Sequence, residues 1–179
     1  MKLIFVTGNK NKLAEAAKIL QKHELINEPL DIPELQGTSK EIVFSKARLA
    51  YQKFKKPCFV DDTSLCFNAW NGLPGPYIKD FLRFVGIEKL PSLLDGQDKS
   101  GYVLCSIGYA KSEDEIFCFE GRINGKIVPV GGDSGFQFDR IFIPLGYDKR
   151  FSEMTMEEKN KISHRKKAFE HFNAFLECQ

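Results

Sequence analysis

Residues 3–6 read Leu3-Ile4-Phe5-Val6, and a polar loop, Thr7-Gly8-Asn9-Lys10-Asn11-Lys12, follows at once. An unbroken apolar run of strand formers reads as a central strand buried on both faces. Beyond the loop, Leu13, Ala16, Ala17 and Leu20 recur at helical spacing. Strand, glycine loop and helix in this order predict an α/β domain. Further along, Thr38-x-x-Glu41 is a capping-box pattern, with Val43, Ala47, Ala50 and Phe54 on one face of the helix it starts. Pro57 ends that helix, and Cys58-Phe59-Val60 is a second short buried strand leading straight into Asp61-Asp62-Thr63.

The rest of the chain is punctuated by turns. Residues 71–76 form a rigid Gly/Pro segment, with Pro76 suited to the first turn of a helix carrying Ile78, Phe81, Leu82 and Val85. Strands are predicted at 102–110 and 115–122, and Asn124-Gly125 predicts a two-residue hairpin into 126–128. A glycine-rich loop at 131–135 precedes a strand around 141–143, and Thr155-x-x-Glu158 is a second capping box. Phe169, Phe172 and Leu176 form a last apolar stripe. Early helix–strand alternation followed by hairpins predicts a mixed central sheet flanked by helices, in a single domain over residues 1–179.

Composition narrows the class. A chain of 179 residues buries roughly 70% of its unfolded surface, so it needs no disulfide or metal to hold together. Hydrophobic residues at 42% and charged ones at 28% exclude disorder for most of the chain. With 26 Lys+Arg against 24 Asp+Glu, the total charge points to neither nucleic acid nor a membrane surface. The opening apolar run is too short for a signal peptide or a membrane span. Five cysteines, an odd number without a C-x-x-C pair, read as small buried hydrophobes in a reducing cytoplasm. The 16 phenylalanines read chiefly as core.

Several segments could carry chemistry. The 7–12 loop offers free N–H groups, the positive end of a helix dipole and two lysines to a phosphate, although a tight turn with solvated lysines fits the pattern equally. It is neither a Walker A loop nor G-x-G-x-x-G. Asp61-Asp62 at a strand exit suits a divalent cation, and two adjacent acids there require a cation or strong donors nearby; an Asx-turn is the simpler alternative. Residues 159–167 carry five formal positives and no acid. If Ser163 caps the final helix, His164 and Arg165 oppose its dipole, which a bound anion resolves; a solvated basic face is the alternative. Glu34 reads as an exposed loop acid, and Phe136 and Phe138 as core residues or a platform for a planar ring.

Four ordered blocks bring these signals together: residues 7–12, Val60-Asp61-Asp62-Thr63-Ser64-Leu65, Gly72-Leu73-Pro74-Gly75-Pro76-Tyr77-Ile78-Lys79, and Glu158-Lys159-Asn160-Lys161-Ile162-Ser163-His164-Arg165. From Leu3 to about Leu176 the chain resembles the inosine triphosphate pyrophosphatase (ITPase) family, in its eukaryotic type. The resemblance implies an ITPase-like, Maf-like fold of two lobes with the active-site cleft between them. It implies hydrolysis of ITP, dITP and XTP to the monophosphate and pyrophosphate, with Mg²⁺, or Mn²⁺ as a substitute, in a cytoplasmic homodimer.

Carried onto this sequence, the resemblance implies that Thr7, Gly8, Asn9, Lys10, Asn11 and Lys12 hold the triphosphate, Lys12 leading. Glu34 and Asp62 would be the metal ligands, and Asp62 would orient or deprotonate the attacking water with Asp61 behind it. Lys46 and Lys79 would face phosphates, and Thr63 would add a hydroxyl. Phe136, Gln137, Phe138 and Asp139, with Lys159, Ser163, His164 and Arg165, would surround the base, with Phe136 stacking on it. Three departures stand out. Phe136-Gln137-Phe138-Asp139 replaces the common Phe-Gly-Trp-Asp, Arg140 stands where a proline often follows, and Asp61 stands where glutamate is common. A Maf-like pyrophosphatase for other modified nucleotides, or a nucleotide sensor without catalysis, are the competing readings; the retained acids Glu34, Asp61 and Asp62 argue against the sensor.

Overall fold

The computed structural model describes residues 1–133 and 137–178, with no side chain described at 137. The expectations placed on Phe136 and on the Gln137 side chain therefore lie outside the described residues. β1 (Lys2–Phe5) is the expected inner strand, with Leu3, Ile4 and Phe5 all buried. α1 (Lys10–Ile19) follows the loop, capped by Asn9, and buries Ala16, while Ala17 faces solvent. β2 (Glu24–Asn27) returns parallel to β1. α2 (Ser39–Phe54) opens with the capping box foreseen at Thr38 and Glu41 and ends in a left-handed Lys55 ahead of Pro57.

β3 (Cys58–Phe67) corrects the expectation of a short strand ending before the aspartates. Its first residues pair in parallel with β1, and the last backbone bond of that ladder runs from Val6 N–H to the Phe59 carbonyl. β3 then continues and picks up a new neighbour, β4 (Pro74–Gly75), in antiparallel register. Asp61 and Asp62 are thus inside a strand, just past the point where β1 has ended. α3 (Ile78–Phe84) begins after Tyr77, so Pro76 precedes the helix instead of forming its first turn.

β5 (Ser100–Ala110) and β6 (Ile116–Ile127) follow. β6 runs straight through Asn124-Gly125, where a hairpin was expected. The glycine there serves packing: a Cβ at Gly125 would lie 2.3 Å from the Ile143 carbonyl and 2.5 Å from the Phe142 ring. A 3-10 turn at Gln137–Ile141 leads into β7 (Phe142–Pro144), antiparallel to β6 and one residue later than foreseen. α4 (Met156–Ile162) starts with the second capping box, and α5 (His164–Glu177) closes the described chain.

The described strands form a seven-stranded mixed sheet in the order β2-β1-β3-β5-β6-β7, with β4 on β3, as the α/β expectation required. The chain divides into two compact units, residues 1–62, 105–121 and 165–179 in the first, and 63–104 and 122–164 in the second. In the first unit, Phe5 stacks on Phe59 with centroids 4.3 Å apart, and Phe169 meets both rings edge-on. Burying each such ring contributes about 1.5–3 kcal/mol. Beside this cluster, α2 lies so close to β5 that a Cβ at Gly108 would approach the Val43 carbonyl to 2.3 Å. The second unit has its own core, including Phe67, Phe138, Phe142 and Phe151. Phenylalanine is mainly core, as expected, with Phe84 an exception at 75% exposure. All five cysteines are free; Cys58, Cys66 and Cys105 are buried as foreseen, while Cys118 is half-buried and Cys178 exposed.

Candidate active site

The first unit assembles its charged residues around the end of β1. Thr7 Oγ1 accepts from the Asn9 amide at 3.1 Å, and Asn9 Oδ1 accepts from the amides of Asn11 and Lys12 at 2.9 and 3.3 Å. Two of the amides expected to face a phosphate are therefore capped by Asn9 itself. The first turn of α1 holds no acid, and Lys10 and Asn11 are exposed. Gly8 is exposed, its φ is not positive, and a Cβ there would meet nothing within 4 Å. Neither strain nor packing requires a glycine at that position. With its amide in the orientation its neighbours demand, Asn27 donates to the carbonyls of Thr7 at 2.8 Å and Phe5 at 3.2 Å, pinning the loop's entry.

Successive residues of a strand point to opposite faces, and the two aspartates accordingly find different partners. Asp61, its side chain 1% exposed, meets Lys12 Nζ at 3.0 Å and Arg165 Nε at 3.5 Å. Arg165 NH1 also donates to Glu15 Oε2 at 2.8 Å. Burial disfavours the Arg165 cation, but Asp61 and Glu15 outweigh it and hold the guanidinium firmly charged. Asp62 faces α2, where Lys46 Nζ reaches Asp62 Oδ1 at 3.4 Å and Glu34 Oε1 at 2.8 Å. The expectation that strong donors must stand beside the acid pair is met by three basic side chains.

Both members of the Lys46–Asp62 pair have raised pKa values. Burial opposes the Lys46 charge, yet Asp62 and Glu34 raise its pKa overall. Asp62 is also raised, because burial outweighs Lys46 and Lys12, and Asp61 and Glu34 push the same way. The lysine gains from two carboxylates while the aspartate sits among several. Asp62 Oδ2 is buried and finds no hydrogen-bond partner among the described residues. Asp61 Oδ2 also lacks an aligned hydrogen bond, but it has the Lys12 ammonium as an ion-pair partner.

In the second unit, Lys159 donates to Asp139, a carboxylate with no exposed surface. The Lys159 ammonium also lies 5.3 Å from the centre of the Phe151 ring. His164 stands 6.4 Å from Phe138 and 6.3 Å from Phe151, and Ser163 is buried beside it in sequence. Phe138 is 2% exposed and belongs to the core. Thr63 is half-buried on β3, and Lys79 is exposed in the first turn of α3. Of the residues expected around a base, Asp139 and Lys159 are joined directly, Phe138 and His164 lie nearby, and Arg165 is instead held by Asp61 and Glu15. Sequence reasoning missed Glu15 and Asn27; Glu15 lies one turn beyond Lys12 on α1, which is the only signal it offered.

The model of the Ham1 family matches residues 3–175. The chain belongs to the Ham1 family. Among Ham1 relatives, the inosine triphosphate pyrophosphatase of Yarrowia lipolytica is 44% identical over 98% of this chain and 96% of its own. A solved HAM1 protein from Coxiella burnetii superposes with a TM-score of 0.91 at 27% identity, covering 100% of both chains. A Mycobacterium abscessus structure described as a nucleoside-triphosphatase and dITP/XTP pyrophosphatase gives a TM-score of 0.79 at 28% identity, over 96% of this chain and 98% of that one. The resemblance read from four sequence blocks is borne out, and so is the fold class. No helix among the described residues is long and apolar enough to cross a membrane.

Proposed function

We propose that this Ham1 chain hydrolyses the α–β phosphate bond of ITP, dITP and XTP, releasing the nucleoside monophosphate and pyrophosphate. The observation that carries the proposal is Asp62, a half-buried carboxylate with one buried, unmet oxygen beside two lysines and a second acid. Relatives named as pyrophosphatases of inosine triphosphate and of dITP and XTP support the substrate class. Residues 1–179 act as one domain in this reading, with β3, β5 and β6 each contributing to both units.

Each residue has a task that follows from its surroundings. Glu34 and Asp62 would hold Mg²⁺, an ion that takes one or two carboxylates and completes its shell with water and phosphate oxygens. No group of three or more metal-ligating His, Cys, Asp or Glu side chains occurs among the described residues, which suits such a partial protein shell. Bound there, the ion would supply positive charge to the phosphates. Lys12 and Lys46 hold the triphosphate and neutralise the departing pyrophosphate, and the unencumbered backbone at Gly8 admits a phosphate closely. Lys79 and Thr63 add contacts to the phosphates.

Asp62 would also orient the attacking water and take its proton. Asp61, fixed by Lys12 and Arg165, keeps the strand and Lys12 in register. Lys159 and His164 offer donors to the 6-oxo group of hypoxanthine or xanthine. Adenine presents a donor at that position, and each buried donor left unpaired costs about 1–3 kcal/mol. The bonds from Arg165 to Asp61 and Glu15 favour a part in steadying the phosphate side over reading the base.

The chain would work in the cytoplasm, which its five free cysteines favour. It would work as a homodimer, for which the exposed Phe84, Leu145 and Met156 offer apolar surface; sedimentation of the purified protein tests this. For activity, a panel of ITP, dITP, XTP, GTP, ATP and modified pyrimidine triphosphates is incubated with enzyme and Mg²⁺. Pyrophosphate from ITP, dITP and XTP is expected. Preference for the pyrimidines would establish the Maf-like reading instead, and tight ITP binding without turnover would establish a sensor.

A further inference from the structure

In the second unit, three carbonyls of one short segment are each taken by a side chain from elsewhere. Arg150 donates through Nε and NH2 to Pro129 O at 3.2 and 3.1 Å. Ser152 Oγ donates to Gly131 O at 2.8 Å, and Arg140 Nε donates to Gly132 O at 3.0 Å. The backbone closes the same junction, since Gly131 N–H donates to Arg140 O at 2.9 Å. Both glycines are demanded by the clamp: a Cβ on Gly131 would lie 2.7 Å from the Arg150 guanidinium, and one on Gly132 would lie 2.3 Å from Ser152 Oγ. Such convergence on an irregular segment fixes a position, because each donor removes a direction in which the backbone can move.

The position it fixes is next to Asp139. Arg140 follows Asp139 directly, and Asp139 is the fully buried acid that holds Lys159. Arg140 also reaches Glu88 at 3.8 Å, a loose and exposed pair, so its bond to Gly132 is the contact that matters here. The geometry points to Arg140 as a positioning residue for the substrate base: it ties Gly131-Gly132 to Asp139-Arg140, so that Asp139 holds the Lys159 ammonium where the 6-oxo group of the base is read. The inference rests on the proposed activity. It assigns a specificity role to a side chain at the position where the resembling family often has proline, a residue with neither the guanidinium nor the bond to Gly132.

The test separates the base from the phosphates by using the products one at a time. Binding of IMP and of pyrophosphate is measured by calorimetry on wild type, Arg140→Gln and Arg140→Lys. Loss of one positioning hydrogen bond is expected to weaken IMP binding about tenfold in Arg140→Gln. Pyrophosphate binding should be unchanged, and Arg140→Lys, which keeps a donor, should recover part of the loss. In steady-state assays with ITP, KM should rise by a similar factor while kcat stays within about twofold, and discrimination against ATP should fall. A variant that unfolds more easily yet binds IMP as wild type does would overturn the inference and leave Arg140 a purely structural clamp. Equal weakening of IMP and pyrophosphate would overturn it too. If wild type itself releases no pyrophosphate from ITP, the proposed activity falls, independently of how the variants rank.

Discussion

Replacing Asp62 by Asn should remove catalysis and make the protein more stable. Burial disfavours the Asp62 charge, and Asn, which still leaves a polar atom in the place of Oδ2, removes only that charge; the relief is on the order of 1–3 kcal/mol. Against that, the substitution gives up the 3.4 Å contact with Lys46, which retains Glu34 at 2.8 Å. The net gain is about 1 kcal/mol, which raises Tm by about 2–4 °C in a domain of this size. The pH dependence fixes the sign independently. Burial raises the folded-state pKa of Asp62, so the native protein keeps this proton to higher pH than the unfolded chain does. The linked stability is fully present below the ordinary Asp value of about 3.9 and is lost as pH rises through the folded value. Asn has no such dependence. The Tm difference between Asp62→Asn and wild type should therefore be smallest in acid and widen towards neutral pH.

Scanning calorimetry in EDTA keeps the carboxylate free of metal while both proteins are compared. ITP turnover, followed as pyrophosphate release, should fall by at least about a hundredfold in the variant. A variant less stable than wild type at neutral pH, or a Tm gap that does not change with pH, would show that Asp62 is fully satisfied in the fold and refute the reasoning.

Lys46→Met removes the largest influence opposing the burial of Asp62, so the acid limb of the kcat/KM–pH profile should move to higher pH; an unmoved limb would separate Lys46 from Asp62. Gly125→Ala should destabilise by about 1–3 kcal/mol, read as a lower urea midpoint, because β7 must shift to admit the methyl. Thr38→Ala removes the cap of the helix that carries Lys46 and should cost about 1 kcal/mol by the same measurement.

The parts of the fold legible in the sequence are those decided locally. Both capping boxes formed where their spacing put them, because the bonds join residues only three apart. Asn124-Gly125 misled for the opposite reason: its glycine answers to Phe142 and Ile143, long-range neighbours that no local pattern reveals. The continuation of β3 past Val60 was hidden because a strand can change partners, from β1 to β4, without any break in its own sequence. The candidate site divides along the same line. Adjacent acids at Asp61 and Asp62 announced a need for positive charge, but which base meets which acid depends on the fold. Arg165 finds Glu15 across 150 residues of sequence. Near-neutral total charge likewise concealed the grouping of Lys12, Lys46 and Arg165 around four acids, Glu15, Glu34, Asp61 and Asp62.

The central claim is the bond that is cut. Purified protein is incubated with ITP and Mg²⁺ in ¹⁸O-labelled water, and the products are identified and weighed by mass spectrometry. IMP and pyrophosphate should appear in equal amounts from the first time point, with one labelled oxygen in one of the two. IDP and orthophosphate as first products would contradict the account.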